Sequence, residues 1–254
     1  MIRLTSVIGG LIRGGKTLPL ADGLAHANIG HFFADKLGYT TIIPDYRLMS
    51  HGARFPSGGE DLAQVVDWVR ETMTHQEGYQ NVDLFIMGNS AGGIHLATYL
   101  FAPDFANSRN KIMTQNPEAS LVLRGVVFLS VPFNFRQADA SRAEELKEYF
   151  GDIEANSPQG LLKAAMLRDP DNVLCNVRAM ILNGSLDPED EILIPKKEFL
   201  DEWAELDEGS RQALTVEMMD GQNHISPAFS LGTGIEREEA WGHQVGDFLD
   251  SLRS

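Results

Sequence analysis

Val82-Asp83-Leu84-Phe85-Ile86-Met87-Gly88-Asn89-Ser90-Ala91-Gly92-Gly93 joins three signals in a fixed order. The apolar run 82–87 suits a buried strand, a glycine-flanked serine follows, and residues 94–101 can continue as a helix. This is G-x-S-x-G in the context the motif needs. A serine on a sharp strand-to-helix turn has strained backbone angles, and side chains at Gly88 or Gly92 would collide with the neighbouring chain. Such a turn exposes the Ser90 hydroxyl. It also aims the Ala91 N–H, at a helix N-terminus, at the place where a tetrahedral intermediate carries negative charge. The competing reading is a glycine-rich connection of a nucleotide-binding βαβ unit. It fits less well, since no Lys-Ser or Lys-Thr pair follows and the glycine spacing is not G-x-G-x-x-G.

Outward from this turn, apolar runs at 2–8, 40–44, 123–131, 179–183 and 214–219 are separated by amphipathic segments. The clearest helix spans 60–75, where Leu62, Val65, Val66, Val69 and Met73 share one stripe behind a Ser57-Gly58-Gly59 start. Strands without polar alternation are covered on both faces, and strict β/α alternation with right-handed crossovers gives an α/β protein with a mostly parallel sheet. Ligand sites then lie at the carboxyl ends of the strands. Residues 132–171 break the alternation and read as a small lid or cap insertion, and 236–252 places Trp241, Val245, Phe248 and Leu252 at helical spacing.

The chain has 254 residues, 43% of them hydrophobic, enough for one domain covering 1–254 with the insertion inside it. A formal net charge of −15 argues against nucleic acid or an anionic membrane as partner. No run of about 18 apolar residues occurs, which argues against a membrane span. The lone cysteine, Cys175, cannot form an intramolecular disulfide, and the first residues show no cleavable apolar leader. Together these predict a soluble, cytoplasmic protein.

A serine hydroxyl is a weak nucleophile at neutral pH, so a histidine must take its proton and a carboxylate must orient that histidine. On a nucleophile elbow the chain order is serine, acid, histidine. His224 follows the run 214–219 through the polar turn Asp220-Gly221-Gln222-Asn223, which places it at a strand's carboxyl end. Its rival His243 falls inside the last helical segment, where packing or a surface role suits it better. For the acid, the run 179–183 leads into Gly184-Ser185-Leu186-Asp187-Pro188, and the proline discourages immediate helix formation after Asp187. Glu189, Asp190 and Glu191 compete as acids, and Asp220 is too near His224 to replace Asp187 comfortably.

These residues resemble the hormone-sensitive-lipase-like branch of the α/β-hydrolases. The resemblance rests on Pro44-Asp45-Tyr46-Arg47-Leu48, Phe55-Pro56, Glu60-Asp61, the elbow 88–93 with Asn89 where Asp is common, Asp187-Pro188 and Asn223-His224. It implies an α/β-hydrolase fold and a carboxylesterase acting on short- to medium-chain esters. The family usually carries H-G-G-G after an early strand. Here the nearest equivalent is Val7-Ile8-Gly9-Gly10-Leu11, so the amino terminus is short and the histidine is replaced by Ile8. The resemblance implies that Gly9, Gly10 and Leu11 supply backbone donors beside Ala91 in an oxyanion hole. Losing one such donor typically costs about 10²- to 10³-fold in rate.

The expected reaction is acyl transfer from a small-molecule ester to water by Ser90, His224 and Asp187, with no cofactor and no metal. Asn89, beside the nucleophile, and Phe133 and Phe135, in the insertion, are the candidate substrate contacts. An arylformamidase-like amidase, or a thioesterase or deacetylase of a biosynthetic pathway, would use the same triad. A non-catalytic binding protein of this family is the third reading, although such proteins usually lose a triad residue. Missing early strands would uncover the edge of 40–44 and favour a homodimer.

Overall fold

The computed structural model describes residues 3–10, 24–79, 82–113, 116, 118–170, 173–174 and 177–252. All six apolar runs form strands: β1 (Arg3–Gly10), β2 (Thr40–Ile42), β3 (Val82–Ser90), β4 (Leu121–Leu129), β5 (Arg178–Gly184) and β6 (Leu214–Met219). They pair in parallel in the order β2-β1-β3-β4-β5-β6. From β1 the chain passes to one side to make β2, then crosses back to make β3 on the other side. Strand order therefore reverses between β1 and β3, and a parallel sheet opens its ligand crevice at such a point.

Strand ends differ from the apolar runs for local reasons. β3 extends through Gly88 and Asn89 to Ser90 because β1 continues to pair beside it. β4 stops at Leu129, where the next residue, Ser130, takes φ 48°. β2 is only three residues long and lies at one edge of the sheet. The chain beyond it meets Pro44, which has no N–H to donate to a ladder.

Side chains alternate across the sheet, which explains the absence of polar alternation. On β3, Leu84 and Ile86 join one core and Phe85 and Met87 the other; on β4, Val126 and Phe128 oppose Val127 and Leu129. The first core is covered by helices Ser57–Arg70, Ala91–Phe101, Ala143–Phe150, Pro158–Arg168 and Ile194–Trp203. The second is covered by Ile29, Phe32 and Phe33 together with Trp241, Val245 and Phe248 of helix Glu236–Ser251. The insertion expected at 132–171 folds as helices Ala143–Phe150, Ile153–Asn156 and Pro158–Arg168. Its Leu146, Tyr149, Phe150, Leu161 and Leu162 belong to the first core, so it is packed onto the sheet domain.

One buried polar group in this layer has an energetic signature. His95, on helix Ala91–Phe101, is 2% exposed, and its Nδ1 lies 3.4 Å from the Tyr149 hydroxyl of the insertion. Burial pushes its pKa down to about 4, partly opposed by Asp61. A free histidine binds a proton below about pH 6.5, whereas the buried ring stays neutral almost to pH 4. The unfolded chain therefore gains the proton first as pH falls, and stability declines from about pH 6.5 towards pH 4 by up to roughly 3 kcal/mol. Thermal melts across this range should show that decline, and His95→Gln should flatten it; an equal slope in the variant would assign the loss to other groups.

Candidate active site

Ser90 ends β3 with φ 51° and ψ −115°, and the helix Ala91–Phe101 begins at the next residue. Close backbone packing makes this turn sterically demanding. A Cβ on Gly88 would lie 2.5 Å from the Gly92 carbonyl oxygen, and a second tight position is Gly93, where an added Cβ would run into the Val131 side chain. The Ala91 N–H belongs to the first turn of the helix, where no intrahelical acceptor exists for it.

His224 is brought to this serine by the loop after β6. Gly221 takes φ 70°, and the Asn223 Oδ1 accepts from the N–H groups of Ile225 at 2.9 Å and Ser226 at 3.0 Å. That side-chain turn presents the imidazole, whose Nε2 lies 2.9 Å from Ser90 Oγ. Asp187 arrives on the neighbouring loop after β5. The two loops are joined through backbone: Leu186 N–H donates to the Gln222 carbonyl at 2.9 Å and Ser185 N–H to the Met219 carbonyl at 3.0 Å. Gly184 permits this approach, since a Cβ there would meet the Gln222 carbonyl oxygen.

The Asp187 side chain is fully buried. Its Oδ2 accepts from Ser130 Oγ at 2.7 Å, Gly184 N–H at 2.9 Å and Asn183 Nδ2 at 3.5 Å. Its Oδ1 has no hydrogen-bond donor and faces His224 Nδ1, itself buried and unpaired, at 3.8 Å. This exceeds hydrogen-bonding distance, and only a small shift of the imidazole is needed to close it. Burial lowers the His224 pKa below its usual value, the charges of Asp187 and Glu191 raise it, and Arg142 lowers it further. The neutral imidazole, which can accept the serine proton, is thus the favoured form.

Two of the rivals, Glu191 and His243, have other partners. Glu191 pairs with Arg142 of the insertion at 2.7 Å, in the helical turn Glu189–Leu193 that also holds Glu189 and Asp190. His243 sits on helix Glu236–Ser251 with its ring edge-on to Phe32 at 5.2 Å. Of the expected oxyanion donors, Gly9 and Gly10 lie on β1 beside Asn89 and Ser90, whereas Leu11 falls outside the described residues.

The expected substrate contacts are corrected in part. Phe133 is fully buried and stacks on Phe199 at 4.1 Å, so it belongs to the core, because the chain leaving β4 turns inward under the insertion. Asn89 donates its amide to the Leu129 carbonyl at 3.1 Å, which ties β3 to β4. Phe135 is half-buried, 4.9 Å from the ring of Phe150. An open cavity of about 540 Å³ lies beside the loop after β6, lined by Asp220, Gln222, Ser226, Phe229 and Arg237 among others, but none of Ser90, Asp187 and His224 lines it. Among the described residues, no three His, Cys, Asp or Glu side chains are grouped as a metal ion would require, and no helix is long and apolar enough to cross a membrane. Cys175 lies outside the described residues.

Sequence reading did not single out Ser130, Gly184 as a close-approach position, or the Asn223 turn. Position at or beyond a strand's carboxyl end is the signal they share.

A parallel sheet that carries a serine on a strained strand-to-helix turn at its switch point defines the α/β-hydrolase class of fold. The chain belongs to the alpha/beta hydrolase fold family, whose model matches residues 14–194. That match includes Ser90 and Asp187 and ends before His224. Solved structures with the same fold include the carboxylesterase Cest-2923 from Lactobacillus plantarum, with TM-score 0.67 and 14% identity over 100% of this chain and 88% of that one. Esterase B from Lactobacillus rhamnosis has TM-score 0.67 and 14% identity, over 99% and 76%. A propionate-bound esterase, Est2, from Thermogutta terrifontis has TM-score 0.61 and 17% identity, over 100% and 85%. No match is found among the curated proteins.

The packing at the turn makes Gly88→Ala a sharp test. The new Cβ meets backbone atoms that cannot rotate away, so the variant should lose about 2 kcal/mol or more in urea denaturation. A loss within a few tenths of a kcal/mol would show that the turn is not so tightly packed.

Proposed function

We propose that the protein is a serine hydrolase that transfers the acyl group of a carboxylic ester to water. The observation that carries the reading is the 2.9 Å approach of Ser90 Oγ to His224 Nε2 on a strained turn, with a buried carboxylate behind the imidazole. Ser90 Oγ attacks the ester carbonyl carbon while its proton passes to His224 Nε2. The tetrahedral oxyanion faces the Ala91 N–H, and a second donor comes from the β1 end at Gly10. The carbonyl–alkoxy bond then breaks, the alcohol leaves with the proton from His224, and an acyl-Ser90 ester remains. Water, deprotonated by His224, attacks that ester; the bond from the acyl carbon to Oγ breaks, His224 returns the proton to Ser90 Oγ, and the acid is released. Asp187 orients the imidazole and stabilises its cation.

Esters are placed ahead of amides or thioesters because solved structures of the same fold include a carboxylesterase and an esterase. The short- to medium-chain preference is part of the proposal. An arylformamidase-like amidase, or a thioesterase or deacetylase, would use the same three side chains, and turnover of N-formylkynurenine or an acyl thioester above that of p-nitrophenyl esters would favour it.

A fluorophosphonate probe should label the wild type at Ser90 and leave Ser90→Ala unlabelled, and Ser90→Ala and His224→Ala should each lose at least about 10⁴-fold in ester hydrolysis. Equal, weak labelling of wild type and Ser90→Ala would overturn the hydrolase reading. Because the lowered pKa of His224 keeps it neutral to lower pH, the acid limb of kcat/KM should lie below about pH 6.5. Rate should fall as pH drops through that limb and stay level above it.

A further inference from the structure

We propose that Ser130 is a positioning residue for the acid of this site, holding the Asp187 carboxylate so that one oxygen alone is left for His224. The inference rests on the acyl-transfer reading above and adds a residue to it. Ser130 is the first residue after β4, is fully buried, and takes φ 48°. Among the described residues it shares a positive φ with only one other non-glycine, Ser90. Glycine is the residue that meets such a conformation without strain, so a serine there is explained by its hydroxyl.

That hydroxyl has a defined partner. Ser130 Oγ donates to the carboxylate oxygen Oδ2 of Asp187, at 2.7 Å. Gly184 N–H and Asn183 Nδ2 fill the other approaches to the same oxygen, while Oδ1 is left facing His224 Nδ1. A carboxylate turns freely about its terminal bond because that torsion is broad and two-fold. Donors on one oxygen alone stop this rotation and direct the other oxygen at the imidazole. Gly184 and Asn183 belong to the same strand end as Asp187 and move with it. Ser130 comes from the neighbouring strand, and its own N–H donates to the Leu182 carbonyl at 2.9 Å. It therefore locates the carboxylate relative to the sheet that also carries Ser90, one strand further on.

The test is a cycle of Ser130→Gly and Asp187→Ala on the purified full chain, assayed with a p-nitrophenyl ester and a fluorophosphonate, with Ser130→Ala as the second variant should the glycine fold poorly. Ser130→Gly should keep or raise the melting temperature, since it relieves the backbone, yet lower kcat by about 10- to 100-fold with KM within about twofold. In the Asp187→Ala background, where the carboxylate is gone, the same change should have no further effect on kcat or labelling rate. Wild-type kcat in Ser130→Gly and Ser130→Ala, or an equal fall in both backgrounds, overturns the inference. If the wild type labels at Ser90 but Ser130→Gly labels equally fast, this inference fails and the hydrolase reading stands. If wild type and Ser90→Ala label alike, both fail.

Discussion

The backbone reversal at Ser90 is the constraint on which the rest of the site depends. A serine held at φ 51° costs of order 1–3 kcal/mol, and such a conformation persists only where its surroundings over-determine it. Here β3 is locked between β1 and β4, and the following helix is buried along its whole length against the first core. Gly88 lets the helix start press against the strand end. The result is a hydroxyl lifted out of the ladder at the crevice of the sheet, next to a helix N-terminus whose free N–H groups favour negative charge.

Around that fixed point the partners are set by strand order. The strands that deliver Asp187 and Ser130 are neighbours, and the loops after β5 and β6 are joined to each other by backbone hydrogen bonds before either side chain acts. The carboxylate is taken out of water entirely, which strengthens its field at the imidazole, and three donors offset the desolvation of one of its oxygens. The insertion contributes from the other side: its Arg142 pairs with Glu191, and both charges act on His224 in opposite senses. The segment 132–171 and the turn Glu189–Leu193 are thereby linked electrostatically.

Much of this was legible in the chain. The six apolar runs are short and bounded by turn residues, and all six form strands; at or beyond the ends of three of them, Ser90 Oγ lies 2.9 Å from His224 Nε2 and Asp187 Oδ1 lies 3.8 Å from His224 Nδ1. What failed did so where local pattern carries no distance information. Phe133 reads equally well as pocket or core, and only the position of Phe199, far along the chain, makes it core. Ser130 is one serine after one apolar run, and its partner is 57 residues away.

Element order, the parallel two-faced sheet and the elbow are written in the chain locally, because they depend on hydrophobic periodicity and on glycine sterics within a few residues. Tertiary contacts alone decided the 2.9 Å approach of His224 to Ser90, the burial of Phe133 against Phe199 and the hydrogen bond from Ser130 to Asp187. Those outcomes depend on strand order and on contacts between segments distant in the chain, and no short-range pattern encodes such distances.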